Sequence, residues 1–188
     1  EMQWSLVGSE MCIRDSYMEW SGTDPLGEWA GLEEDGAVSP QLARELGGHS
    51  VPYQLTPPVD GWTQRDPEDA RADNPLSDMW FVNRRHDAHI LVIAEREENG
   101  FELDIERVVD NVLSGAHQQL DNFTVKDRGY IAARSALGER IDAASNEAGH
   151  LMHLRYGIFA DGPHAVQVIC FARKSKFAAI AADCDEAQ

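Results

Sequence analysis

The residues best suited to chemistry are histidines. His86 and His89 are separated by two residues, as are His150 and His153, and His164 follows an Asp161-Gly162 pair. A zinc site needs three or four ligands converging tetrahedrally. On a strand, residues i and i+3 point to opposite faces, so neither histidine pair chelates alone if its strand is regular. His153 and His164 would have to meet across a hairpin. The candidate metal set is therefore His150, His153 and His164, with zinc as the cofactor. The competing reading is ordinary solvated or hydrogen-bonded histidine.

Other catalytic patterns are weaker. No Gly-x-Ser-x-Gly elbow occurs. "LSGAHQ" sets Ser114 and His117 one helical turn apart, a spacing common by chance. "GERIDAASNEAGH" carries carboxylates that nothing in the spacing forces into one cleft. "GTDPLG" lacks the lysine and the strand–helix setting of a phosphate loop. These patterns favour a protein that is not an enzyme. Arg84-Arg85 and Arg155 are positive charges in an acidic chain. They would pair locally with Asp87 or Glu95, or mark a partner-binding patch for an anionic group.

Composition narrows the classes. The 188 residues carry 33 Asp and Glu against 16 Lys and Arg, a net charge of −17. Nucleic-acid binding calls for basic patches, so that class is set aside. No apolar run approaches the roughly 18 residues of a membrane span. Cys12, Cys170 and Cys184 form no recognisable disulfide framework or zinc motif. Cys170, in the apolar run "AVQVICFA", reads as a small hydrophobe.

The elements that would position these groups begin near Ser50. "SVPYQLTPP" reads as a first strand and "GWTQR" as a short second one. "DPEDARADNPLSD" reads as a polar loop. "MWFVNRR" and "AHILVIAE" read as strands. The second has an unbroken apolar centre, Ile90–Ala94, as in a strand covered on both faces. Residues 104–120 place Ile105, Val108, Val109, Val112, Leu113, Ala116 and Leu120 on one helical stripe, with Asp104 as N-cap. Strands are expected over 123–128, 131–142, 150–159 and 165–172, the last two joined by the Asp-Gly turn. Met152, Leu154, Tyr156 and Ile158 form the core face of the third. "SKFAAIAADC" reads as a closing helix capped by Ser175. Trp62 and Trp80 are expected in the core rather than on a binding surface. This order predicts an α+β fold with helices packed on a central antiparallel β-sheet.

Residues 6–16, "LVGSEMCIRDS", resemble the translation of a sequencing-library adapter. Residues 1–16 are therefore set apart as an expected artefact. Residues 17–48 read as a linker or extension, and 49–188 as the domain. With the native start replaced, exported and cytoplasmic locations both stay open.

The domain as a whole resembles the PsbP-like superfamily. The resemblance rests on Gly61-Trp62 after an early strand, "HILVIAE" before the single helix "LDIERVVDNVL", and "DRGYIAARSALG". It continues through "LMHLRYGIF", the Asp-Gly hairpin, "HAVQVICFA" and the final "FAAIA". It implies an α/β/α sandwich and a binding or adaptor role, toward a protein or small-molecule partner. The photosynthetic member's partner-engaging N-terminus has no readable counterpart here.

Overall fold

The apolar run Ile90–Ala94 sits in the middle of the molecule, and its alternate residues serve two separate cores. The computed structural model describes Tyr53, Leu55 and residues 61–133 and 136–187. In chain order the elements are β1 (Thr63–Gln64), α1 (Pro67–Asp73), β2 (Ser77–Asn83), β3 (Ala88–Arg96) and α2 (Ile105–Gln119). They continue with β4 (Thr124–Ala132), β5 (Leu137–Glu147), β6 (His150–Asp161), β7 (His164–Arg173), α3 (Lys174–Phe177) and α4 (Ala181–Ala187). The proposed artefact 1–16 and linker 17–48 lie outside the described residues. So does most of the expected first strand; its Tyr53 and Leu55 have no regular structure.

The strands form one sheet in the order β1-β2-β3-β7-β6-β5-β4. Every neighbouring pair is antiparallel. The connection β3–α2–β4 runs from the middle of the sheet to its far edge, and α2 packs on β5 and β6 along the way. The chain then returns as a meander to lay β7 beside β3.

Strand alternation divides the sheet's side chains between two faces. Leu91, Ile93, Ile141, Met152, Leu154, Tyr156 and Ile158 lie beneath α2, which contributes Val109 and Ala116. The helical stripe is as expected, and the Asp104 carboxylate accepts from the Arg107 amide at 3.0 Å. On the opposite face Ile90, Val92, Val168 and Cys170 meet Phe177, Ile180 and Cys184 of the C-terminal segment, together with Trp62. Trp62 and Trp80 are both buried. The expected α+β architecture, a central antiparallel sheet flanked by helices, is thus present.

Four local expectations are corrected. The "polar loop" contains α1: Asp66 caps it by accepting from the Glu68 amide at 2.8 Å, Pro67 opens it, and Ala70 is buried. Proline in the first turn costs no hydrogen bond, so this start signal was readable. The break expected near residue 129 is absent there: β4 runs on to Ala132, and β5 begins at Leu137. Gly129 and Tyr130 continue β4 opposite Arg140 and Glu139, as an edge strand permits. The closing helix is two short helices, and Arg173 rather than Ser175 stands at the first N-cap. Cys170 and Cys184 are joined as a disulfide, with Cα atoms 5.8 Å apart. Sequence spacing gave no hint of this bridge because tertiary folding alone brings α4 over β7.

Candidate functional site

Asp142 on β5 is the centre of the densest set of charged groups in the described residues. Period-two alternation sends Arg140 and Asp142 to the face opposite α2, while Glu139 and Ile141 go to the α2 face. On β6, His153 and Arg155 share the face of Asp142, and Arg155 is its direct register partner. Asp142 Oδ1 accepts from Arg155 Nε at 2.9 Å and lies 3.1 Å from His153 Nε2. Its Oδ2 is 3.4 Å from Arg140 Nε. Arg140 also donates to Asp127 at 3.0 Å. Arg155 reaches up to α4, donating to Asp185 Oδ1 at 2.6 Å and to the Ala181 carbonyl at 3.4 Å.

Phe177 of α3 forms the lid of this cluster. The His153 ring stacks on it with centroids 3.9 Å apart, and the Arg155 guanidinium lies 5.4 Å from its centre. Burial alone would raise the Asp142 pKa. The hydrogen bonds from His153 and Arg155, with the charges of Arg155 and Arg140, outweigh burial and hold it below the usual carboxylate value. Asp142 is therefore an ionised anchor. The geometry ties three strands to the C-terminal helices.

A second histidine the sequence singled out, His89, is on the α2 face. Its Nδ1 accepts from Trp80 Nε1 at 3.1 Å, and its ring stacks on Phe171 at 4.9 Å. Burial, reinforced by the Arg65 charge, lowers its pKa to about 3. The ring is neutral at ordinary pH, which suits its acceptor role.

The candidate metal set does not converge. His150 shares the face of Met152 and Leu154, beneath α2, whereas His153 and His164 lie on the opposite face. Within the β6–β7 hairpin His153 pairs with Ala172, but His164 pairs with Asp161. Eight residues of β6 separate those two positions, about 26 Å at the usual strand rise. Among the described residues no three His, Cys, Asp or Glu side chains are grouped as metal ligands. Ser114 bonds with Gln118 on α2, and His117 packs edge-on against Phe123, so these two form no nucleophile–base pair.

The three candidate arginines separate as well. Arg155 is in the Asp142 cluster and pairs with neither Asp87 nor Glu95. Arg84 and Arg85 follow β2 in an exposed turn, and Asp87 pairs with Arg173 at 3.4 Å. The sequence reading missed Asp142, Arg140, Asp185 and Phe177. The alternation of "GERID" would have placed Arg140 and Asp142 on one face. No local pattern announces Asp185 or Phe177, which arrive through the fold of the C-terminal segment.

No family model matches the chain, and no curated protein matches it. Solved structures do. The Mycobacterium tuberculosis protein LpqN, described as involved in cell envelope biogenesis, aligns with a TM-score of 0.52 at 11% identity. That match covers 71% of this chain and 78% of LpqN. Cyanobacterial PsbP from Synechocystis aligns with a TM-score of 0.51 at 12% identity, covering 69% of this chain and 79% of that one. A Pseudomonas aeruginosa protein of unknown function aligns at 0.44 with 16% identity, over 50% of this chain and 65% of that chain. Identities this low speak to architecture alone, and the LpqN and cyanobacterial PsbP alignments show that this chain has a PsbP-like fold.

Proposed function

We propose that the protein is a non-catalytic binding module, with the described residues forming the folded unit and its partner a protein or small molecule. One observation carries this reading. The groups best placed for acid–base work, Asp142 and His153, are engaged with Arg140, Arg155 and Phe177 beneath α3 and α4. A general base needs a free lone pair aimed at a substrate proton, whereas here the carboxylate oxygens already face cations. The PsbP-like likeness supports the same reading by analogy of fold.

The test is a panel of ester, phosphomonoester and peptide substrates applied to the purified full chain. The expected result is turnover no faster than buffer. A turnover abolished by His153→Ala, in a variant whose melting temperature is unchanged, would overturn the proposal.

A further inference from the structure

We infer that the end of the sheet formed by the β2–β3 turn and the start of α3 is a docking surface for an acidic segment of a partner protein. This rests on the binding-module reading and adds the place and the chemistry. Ala88 pairs with Ala172, and Met152 with Arg173, so the β2–β3 turn, the end of β7 and the start of β6 come together at one end. Arg84, Arg85, Arg173, Lys174 and Lys176 gather there, with His150 beside them. They include two of the chain's three lysines, although acidic residues outnumber basic ones two to one overall. The contact is direct, because Arg173 Nε at the end of β7 lies 3.4 Å from Asp87 Oδ2 in the β2–β3 turn.

Elsewhere four arginines are consumed within the fold. Arg65 pairs with Asp73, Arg128 with Glu139, Arg140 with Asp127, and Arg155 with Asp142 and Asp185. Arg173 is engaged with Asp87. Arg84, Arg85, Lys174 and Lys176 are exposed. Among the described residues no ion pair engages any of these four.

Both supports of the surface are held by buried side chains. Asn83, almost wholly buried, accepts from the His86 amide through Oδ1 at 3.2 Å and fixes the turn that carries Arg84 and Arg85. Phe177, also buried, pins α3 and with it Lys174 and Lys176. A fixed array of cations loses little side-chain entropy on binding beyond that of the long side chains themselves. Adjacent guanidinium forks match carboxylates two oxygens at a time.

The occupant favoured is an acidic polypeptide rather than an anionic membrane. Interfacial membrane binding combines cations with apolar side chains that enter the lipid. Leu137 and the exposed Tyr130 belong to the opposite end of the sheet, as does Phe101 in the β3–α2 loop. Among the described large apolar residues that are exposed, Leu151, about half exposed, is the one that accompanies the basic end.

The experiment titrates the full chain into fluorescein-labelled octaglutamate and follows anisotropy. Parallel arms use Arg84→Glu/Arg85→Glu, Lys174→Glu/Lys176→Glu and, as a control, Lys126→Glu on β4. Binding is expected to weaken at least about tenfold in each double variant and not in the control. It is also expected to fall as salt rises from about 0.05 M to 0.3 M. Equal affinity across all four proteins would overturn the inference. So would sedimentation with phosphatidylserine vesicles without peptide binding, or self-association that the same double variants abolish. Each of these outcomes leaves the non-catalytic reading standing, since that reading fails only by turnover.

Discussion

Replacing Asp142 by Asn keeps its shape and removes its charge, so it isolates what the ion cluster contributes. The Asp142 side chain is 10% exposed and that of Arg155 14%. Breaking a buried pair by neutralising one partner typically costs about 3–5 kcal/mol. Two compensations reduce that here. Arg155 keeps Asp185, whose side chain is half exposed, and Arg140 keeps the still more exposed Asp127; such rim pairs contribute up to about 1 kcal/mol each. The expected loss is therefore about 2–3 kcal/mol, or roughly 1–1.5 M in the urea midpoint at a slope near 2 kcal/mol/M. The sign of the pH dependence follows from the depressed folded-state pKa. Asp142 contributes stability above the unfolded aspartate value of about 3.9 and loses it as pH falls toward the folded value. Asp142→Asn should flatten that limb of the stability profile, and the control Asp127→Asn should leave it intact. Urea unfolding of both variants between neutral pH and pH 3 decides the matter. If Asp142→Asn costs no more than Asp127→Asn, the cluster is ornamental and the reasoning about burial is wrong.

Other outcomes follow from single contacts. Removing the Cys170–Cys184 bridge as a double serine variant should cost about 3 kcal/mol, given a sequence separation of 14; denaturant melts with and without reductant provide the comparison, and a reductant-insensitive wild type would contradict it. His89, neutral when folded with a pKa near 3, must be unprotonated for folding, so stability should fall as pH drops below about 6.5, by up to about 1.4 kcal/mol per unit. His89→Gln should remove that slope whatever its effect at neutral pH, and an unchanged slope counts against a neutral His89. Gly138→Ala would set a methyl 2.5 Å from the Ile158 carbonyl oxygen and 2.6 Å from the Phe159 ring. Because one neighbour is backbone, the strand must shift, at about 1–3 kcal/mol; a thermal melt matching wild type would show that the β5–β6 spacing yields more readily than this.

Periodic signals carried most of the fold. The stripe of α2, the two-sided apolar run of β3, the inward set of β6 and the Asp-Gly hairpin were all readable because each is local. α1 was also local, written in Asp66-Pro67-Glu68, but its single buried residue, Ala70, gives too little amphipathic pattern to stand out among polar neighbours. The β4–β5 turn was misplaced because Gly129 looks like punctuation, yet on an edge strand a glycine and a largely exposed Tyr130 can continue the ladder. The site was less legible. His153 and Arg155 were singled out, but their partner Asp142 lies 11 and 13 positions away, and Asp185 lies 30 positions from Arg155. Spacing cannot report such meetings until strand order is known.

The C-terminal segment shows how one short element depends on these distant meetings. α4 has seven residues, too few to be helical alone in water. Three consecutive side chains hold it in place. Asp183 accepts from Trp62 Nε1 at 2.8 Å, Cys184 is bridged to Cys170, and Asp185 binds Arg155. Successive helical residues are turned by about 100°, so Cys184 points down at the sheet while its neighbours reach to either side. One anchor lies just before β1, one on β7 in the middle, and one on β6. The helix therefore spans the sheet as a brace, and the Asp142 cluster beneath it is the footing on the β6 side. A carboxylate serving as such a footing is held ionised and occupied, which is why the same burial and charge that make Asp142 conspicuous also argue for architecture over chemistry.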